Sequence, residues 1–127
     1  MAGSYRVDPD LQLVILEITG ETNIQEVLSI VAAIRREISP YLDVLIDLSG
    51  ITKSEVTPAQ MKELAREPNP ENPRRIAFVA VRPDVYGRAR AYQLVFESRS
   101  ASSNVGVFHT KAEAMKWLRP SARSAAT

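Results

Sequence analysis

Val44-Leu45-Ile46-Asp47-Leu48, running on into Ser49-Gly50-Ile51-Thr52, stays almost unbroken in aliphatic character until a polar, hydroxyl-bearing segment takes over. A strand with one face in water alternates apolar and polar residues, whereas a continuous run is expected where both faces are covered, as in the parallel sheets of α/β proteins. Arg75-Ile-Ala-Phe-Val-Ala-Val81 repeats the pattern, and Val105-Gly-Val-Phe108 is a shorter third member. These runs are read as parallel strands. Parallel neighbours need crossover connections, usually helical.

The connecting segments carry helix signals. Thr57-Pro58-Ala59-Gln60 supplies a cap, a proline at the first helical position and a glutamine at the capping-box position. Pro83 to about Arg99 carries Val85, Ala89, Tyr92 and Phe96 at helical spacing. Upstream, Asn23 and Glu26 form a capping box, and Ile24, Val27, Leu28, Val31, Ile34 and Ile38 make an apolar stripe, predicting a helix to about Ser39-Pro40. A Thr110-x-x-Glu113 box opens a last helix, Thr110 to Leu118, which Pro120 stops. At the start, Tyr5 to Val7 and Leu11 to Thr19 read as an antiparallel hairpin around Asp8-Pro9-Asp10. The order β-β-α-β-α-β-α-β-α predicts a single-domain α/β sandwich: a mixed, mostly parallel sheet with an N-terminal hairpin and about four flanking helices. The domain is expected over residues 1–118, with 119–127 a flexible tail. Glu67-Pro-Asn-Pro-Glu-Asn-Pro73 is expected to be an extended surface connection.

Composition agrees with one globular domain and narrows the function. The 127 residues are 45% hydrophobic and 24% charged, near globular averages. A net charge of +1 supplies no global field to draw in nucleic acid or an anionic membrane. With no cysteine there is no disulfide framework, thiol nucleophile or thiolate metal site. The longest aliphatic run, Leu13-Val14-Ile15-Leu16, is far short of the ~20 apolar residues of a membrane span. The N-terminus lacks a basic cluster followed by an apolar stretch, so a cytoplasmic protein is expected.

Chemistry-bearing motifs are sparse. The chain has no nucleophile elbow, dinucleotide fingerprint, phosphate-binding P-loop or His-Glu-x-x-His pair. The single histidine, His109, rules out a multi-histidine metal site and reads as a partly exposed residue at a helix start. The carboxylates Asp8, Asp10, Asp43, Asp47 and Asp84 invite comparison with a phospho-receiver domain, but the opening hairpin and the lack of an adjacent acidic pair break it. Arg74, Arg75, Arg82, Arg88, Arg90 and Arg99, interleaved with Tyr86 and Tyr92, form the densest basic stretch. They are read as a solvated face, not as a nucleic-acid site. No catalytic residue, metal or cofactor is therefore assigned, and the protein is expected not to be an enzyme.

Asp47-Leu-Ser-Gly-Ile-Thr52, at the end of an apolar strand and shortly before a capped helix, resembles the Asp-Leu-Ser-Gly-Val-Thr signature of STAS domains, the SpoIIAA-like fold of bacterial anti-sigma-factor antagonists. The hairpin, the element order and the closing Val107-Phe108…Glu113-Ala114…Trp117-Leu118 look like the same branch, which is also likened to Sec14-type lipid-binding domains. The resemblance covers about Tyr5 to Leu118. In phospho-regulated members an Asp-Ser-Ser-Gly motif follows, whose serine is phosphorylated by a partner kinase. The corresponding positions here are Glu55, Val56, Thr57 and Pro58, so Val56 replaces the acceptor, leaving Ser54 and Thr57 as substitute hydroxyls. Phosphate added at a helix N-terminus is stabilised by free amides and the helix dipole. Without it, Thr57 serves as an N-cap.

Two readings of function follow. The resemblance implies a non-enzymatic regulatory module in which Ser49, Gly50, Thr52, Ser54 and Thr57 meet another protein, an anti-sigma factor or a kinase-like partner. Alternatively, the domain binds a small hydrophobic ligand or lipid. In open α/β sheets ligands settle beyond the carboxyl ends of the strands, where Ser49, Arg82, Tyr86 and His109 would meet one, Arg82 taking an anionic head group and Tyr86, Tyr92 and Phe96 lining an apolar slot. An enclosed apolar space between the Ser49–Thr57 loop and the Tyr86 helix favours the second reading, and a flat, hydrated face the first. An exposed hairpin edge also invites pairing with a second copy of the chain.

Overall fold

Five strands, β1 (Ala2–Asp8), β2 (Leu13–Thr22), β3 (Asp43–Ser54), β4 (Ile76–Val79) and β5 (Val105–Phe108), form one sheet in the computed structural model, which describes residues 2–37, 43–66, 75–99 and 105–118. Between and after them come α1 (Ile24–Glu37), α2 (Pro58–Arg66), α3 (Pro83–Arg99) and α4 (Lys111–Leu118). The strands lie side by side in chain order, β1 antiparallel to β2 and the other pairs parallel. The element order and the mixed sheet expected above are therefore present. The expected connection at 67–73, the tail 119–127 and the end of the first helix beyond Glu37 lie outside the described residues.

The caps form as the spacing predicted. Asn23 Oδ1 accepts the Glu26 amide at 3.0 Å. Thr57 Oγ1 accepts the Gln60 amide at 3.1 Å, while Gln60 Oε1 accepts the Thr57 amide at 2.9 Å. Thr110 Oγ1 accepts the Glu113 amide at 3.2 Å and donates to the Glu113 carboxylate at 3.0 Å. Each bond satisfies an amide that the helix itself leaves open. The hairpin connection is longer than expected: Asp8 Oδ1 accepts the Asp10 and Leu11 amides, and Gln12 takes a left-handed φ of 51° before β2 begins.

Covering on both faces explains the apolar runs. On one face, Leu13, Ile15, Leu45, Ala77 and Val79 are buried against Ala114 and Leu118 of α4. Val14, Val44, Ile76, Phe78 and Val105 point to the other face, against Ala89, Tyr92 and Phe96 of α3. Because strand order never reverses, the right-handed crossover rule sends α1, α2 and α3 to that same second face. One face thus carries three helices and the other α4. This sheet also has no switch point, the place where strand order reverses and the crevice of a doubly wound sheet opens.

The main departure from expectation is at Ser49–Ser54, read as a loop and found as strand. Between the pairs Glu17↔Asp47 and Thr19↔Gly50, β3 carries one residue more than β2, and it gains another between Gly20↔Ile51 and Glu21↔Lys53. Two bulges let β3 continue alongside β2 where a regular ladder would stop. Asp47 Oδ1 holds the first by accepting the Ser49 amide at 3.0 Å and the Ser49 hydroxyl at 2.6 Å. At the second, Gly20 takes φ 76°, a conformation that favours glycine. The bulges also reset which side chains face inward, and Ile51 is buried beside Leu16, Ile18 and Val85.

Candidate ligand cavity

Between the sheet and its three-helix layer lies a cavity of about 130 Å³. The sheet contributes Leu16 and Ile18 from β2, Ile46, Leu48 and Ile51 from β3, and Phe78 from β4. Val27 and Ile30 come from α1, and Met61 and Leu64 from α2. Val85, Arg88, Ala89 and Tyr92 of α3 complete the wall, one helical stripe at steps of three and four residues. Tyr92 is set edge-on to Phe78, with ring centroids 5.3 Å apart. The few polar residues on this wall include Thr22, Ser54 and Arg88. A concave, mostly apolar space with a few polar groups is the general form of a small-molecule site.

Arg88 is the anomaly in that stripe. Its Nη1 lies 3.4 Å from Asp84 Oδ2, and its side chain is 23% exposed, yet its Nε is buried and donates to no partner. Asp84 is shared: Arg82 Nε and Nη2 donate to its two carboxylate oxygens at 3.1 and 3.4 Å. The hydrogen bond from Arg82 is the main reason the Asp84 carboxyl sits below its ordinary pKa, and the charge of Arg88 acts in the same direction. Two guanidinium groups therefore face one carboxylate, leaving one positive charge uncompensated in this cluster.

The residues singled out in the sequence divide between this cavity and the surface. Ser54 lines the cavity, half-buried, with its Oγ accepting the Val56 amide at 3.2 Å. Ser49, Gly50 and Thr52 are exposed along the bulged part of β3, and Thr57 is exposed as the α2 cap. Arg82, Tyr86 and His109 are not on the cavity wall. Tyr86 and His109 stack face to face, centroids 4.3 Å apart and planes within 8°, with Tyr86 half-buried and His109 exposed. Tyr92 lines the cavity, whereas Phe96 packs against the neighbouring core.

Arg88 and Val56 lie on the cavity wall, where the sequence reading does not place them. Arg88 belongs to the arginine run read as solvated, although its position three after Val85 and four before Tyr92 puts it on the inward stripe. Val56 stands in the sequence only as the substitute for a serine. It is 3% exposed and forms part of the cavity wall. Among the described residues, no group of three or more His, Asp or Glu is placed to hold a metal ion. No helix among them is long and apolar enough to cross a membrane.

No protein-family model and no curated protein matches this chain. Among solved structures it is similar to an uncharacterised protein of the DUF3478 family from Shewanella loihica PV-4, described as having a SpoIIAA-like fold. The two share 15% sequence identity with a TM-score of 0.57, over 92% of each chain. At that identity the likeness concerns the fold, and the fold is the one that the Asp47–Thr52 resemblance implied.

Proposed function

We propose that this domain binds a compact apolar small molecule in the space between the sheet and the α1–α3 layer. The cavity itself carries this reading: about 130 Å³ bounded by aliphatic and aromatic side chains from both the sheet and the helices. An apolar cavity of similar size, about 150 Å³, stays dry and accepts benzene. Val56 supports the same reading. At the position aligned with the phosphoacceptor of switch-type relatives, this chain buries a hydrocarbon side chain on the cavity wall. The domain acts as a binder, with no catalytic step assigned to it.

Methyl NMR with benzene as probe tests the proposal. Resonances of Ile18, Ile46, Ile51 and Val85, on the cavity wall, are expected to shift saturably, while Leu13 and Leu45 on the α4 face stay unchanged. Uniform small shifts, or none, would remove the cavity as a binding site.

A second reading, a regulatory module that docks another protein, is favoured by the exposure of Ser49, Gly50, Thr52 and Thr57. It expects a stoichiometric partner, retained from a cell extract and lost when Thr52 is changed to Arg. Retention unaffected by that substitution would exclude this surface.

A further inference from the structure

We propose that the preferred ligand is a small monocarboxylate of about six or seven carbons, with its acid group on Arg88 and its hydrocarbon in the cavity. This deepens the binding proposed above and rests on it. Two observations carry the choice. Arg88 Nε is a buried donor with no acceptor, on a wall otherwise built mainly of hydrocarbon. A buried donor left unsatisfied is unfavourable, and a carboxylate is the acceptor that best matches a guanidinium edge. The sole carboxylate paired with Arg88 among the described residues, Asp84, is also held by both Nε and Nη2 of Arg82, so the cluster retains a net positive charge.

Size and placement set the rest of the ligand. A cavity of about 130 Å³, slightly smaller than the one of about 150 Å³ that accepts benzene, takes a hydrocarbon body of about six carbons at most, with the acid carbon outside it beside Arg88. Arg88 is partly exposed at one side and buried at Nε, so a charged head can remain near water while the tail lies against Leu16, Ile18, Ile46 and Phe78. Neutral hydrocarbon would fill the same space but leave Nε unpaired. A dicarboxylate would place its second charge against aliphatic side chains, which is strongly unfavourable.

Hexanoate and hexanol, titrated separately into the full chain by NMR, test this inference. Hexanoate is expected to bind wild type at least about ten-fold more tightly than hexanol, as a charge-assisted hydrogen bond implies. In Arg88→Gln the preference is expected to fall to about one while hexanol binding persists. A second readout needs no variant: the Arg88 Nε–Hε resonance moves further with hexanoate than with hexanol, whose uncharged hydroxyl is the weaker acceptor. Equal affinities in wild type, or an acid preference that survives Arg88→Gln, overturn the assignment of the acid group to Arg88 while leaving the cavity standing. Binding of neither probe overturns the cavity reading, and this inference with it.

Discussion

Adding one methyl group to the cavity wall has opposite signs in a hollow core and a close-packed one. Val56 and Val85 are 3% and 4% exposed and both line the space. If a cavity of about 130 Å³ is empty in the ligand-free protein, it withholds about 3 kcal/mol at about 24 cal/mol per Å³. Val56→Ile and Val85→Ile each insert one methylene into it. Each should gain about 0.8 kcal/mol of apolar transfer, recovering part of the cavity penalty as well. The expected stabilisation is about 1 kcal/mol per variant, or a rise in Tm of about 4 °C for a domain of this size. In a core without spare volume, the same insertion forces side chains off their rotamers and costs about 1–3 kcal/mol. Urea denaturation followed by circular dichroism, together with a thermal melt, measures the sign directly. The stabilised variants should also bind benzene more weakly, because the methyl groups occupy its volume. A fall in stability for both variants would refute the premise that the space is empty, and gains without weaker benzene binding would separate the cavity from the ligand site.

Other consequences concern the framework around that space. A Cβ at Gly106 would lie 2.7 and 2.8 Å from ring atoms of Phe108, so Gly106→Ala should push that ring against Trp117 and cost about 1–3 kcal/mol. Trp117 is the only tryptophan and sits 5.5 Å from Phe108 between ring centroids, so its fluorescence should change in the native state as well. Thr57→Ala removes the α2 cap and should cost about 1 kcal/mol, with faster amide exchange in the first turn of α2 as the local signature. Asp84 has its carboxyl pKa lowered in the fold, chiefly by its hydrogen bond from Arg82. Its contribution to stability is therefore present above the ordinary carboxylate range and lost as pH falls through the lowered value. A carboxyl-detected NMR titration should show that pKa rising toward normal in Arg82→Gln; no movement would mean that Arg82 is not the cause.

Much of the architecture was legible in the chain because the signals are local. Asn23, Thr57 and Thr110 each cap a helix through bonds reaching three residues along. Val44–Ile46 and Ile76–Val79 are apolar because both sheet faces are covered, a condition visible in composition before any partner strand is known. The Asp47–Thr52 segment pointed to the fold, but its local shape did not follow from its letters. Ser, Gly and Thr interrupt the apolar run and predict a loop, but the segment is strand because β2 extends far enough to pair with it across two bulges.

Residue order alone thus determined the succession of elements, their caps and the doubly covered sheet, since each depends on neighbours a few positions away. The inward side of α3 is already marked by Val85, Ala89, Tyr92 and Phe96, but that Arg88 shares a hollow with them and keeps a buried Nε without a partner was decided only when that helix docked. Arginines at positions 82, 88 and 90 look alike in sequence. Burial is a property of the packed layers, and of these three only Arg88 shares the wall with Val85 and Tyr92. The stack of Tyr86 on His109 has the same origin: α3 and the end of β5 bring together rings that are far apart in the chain.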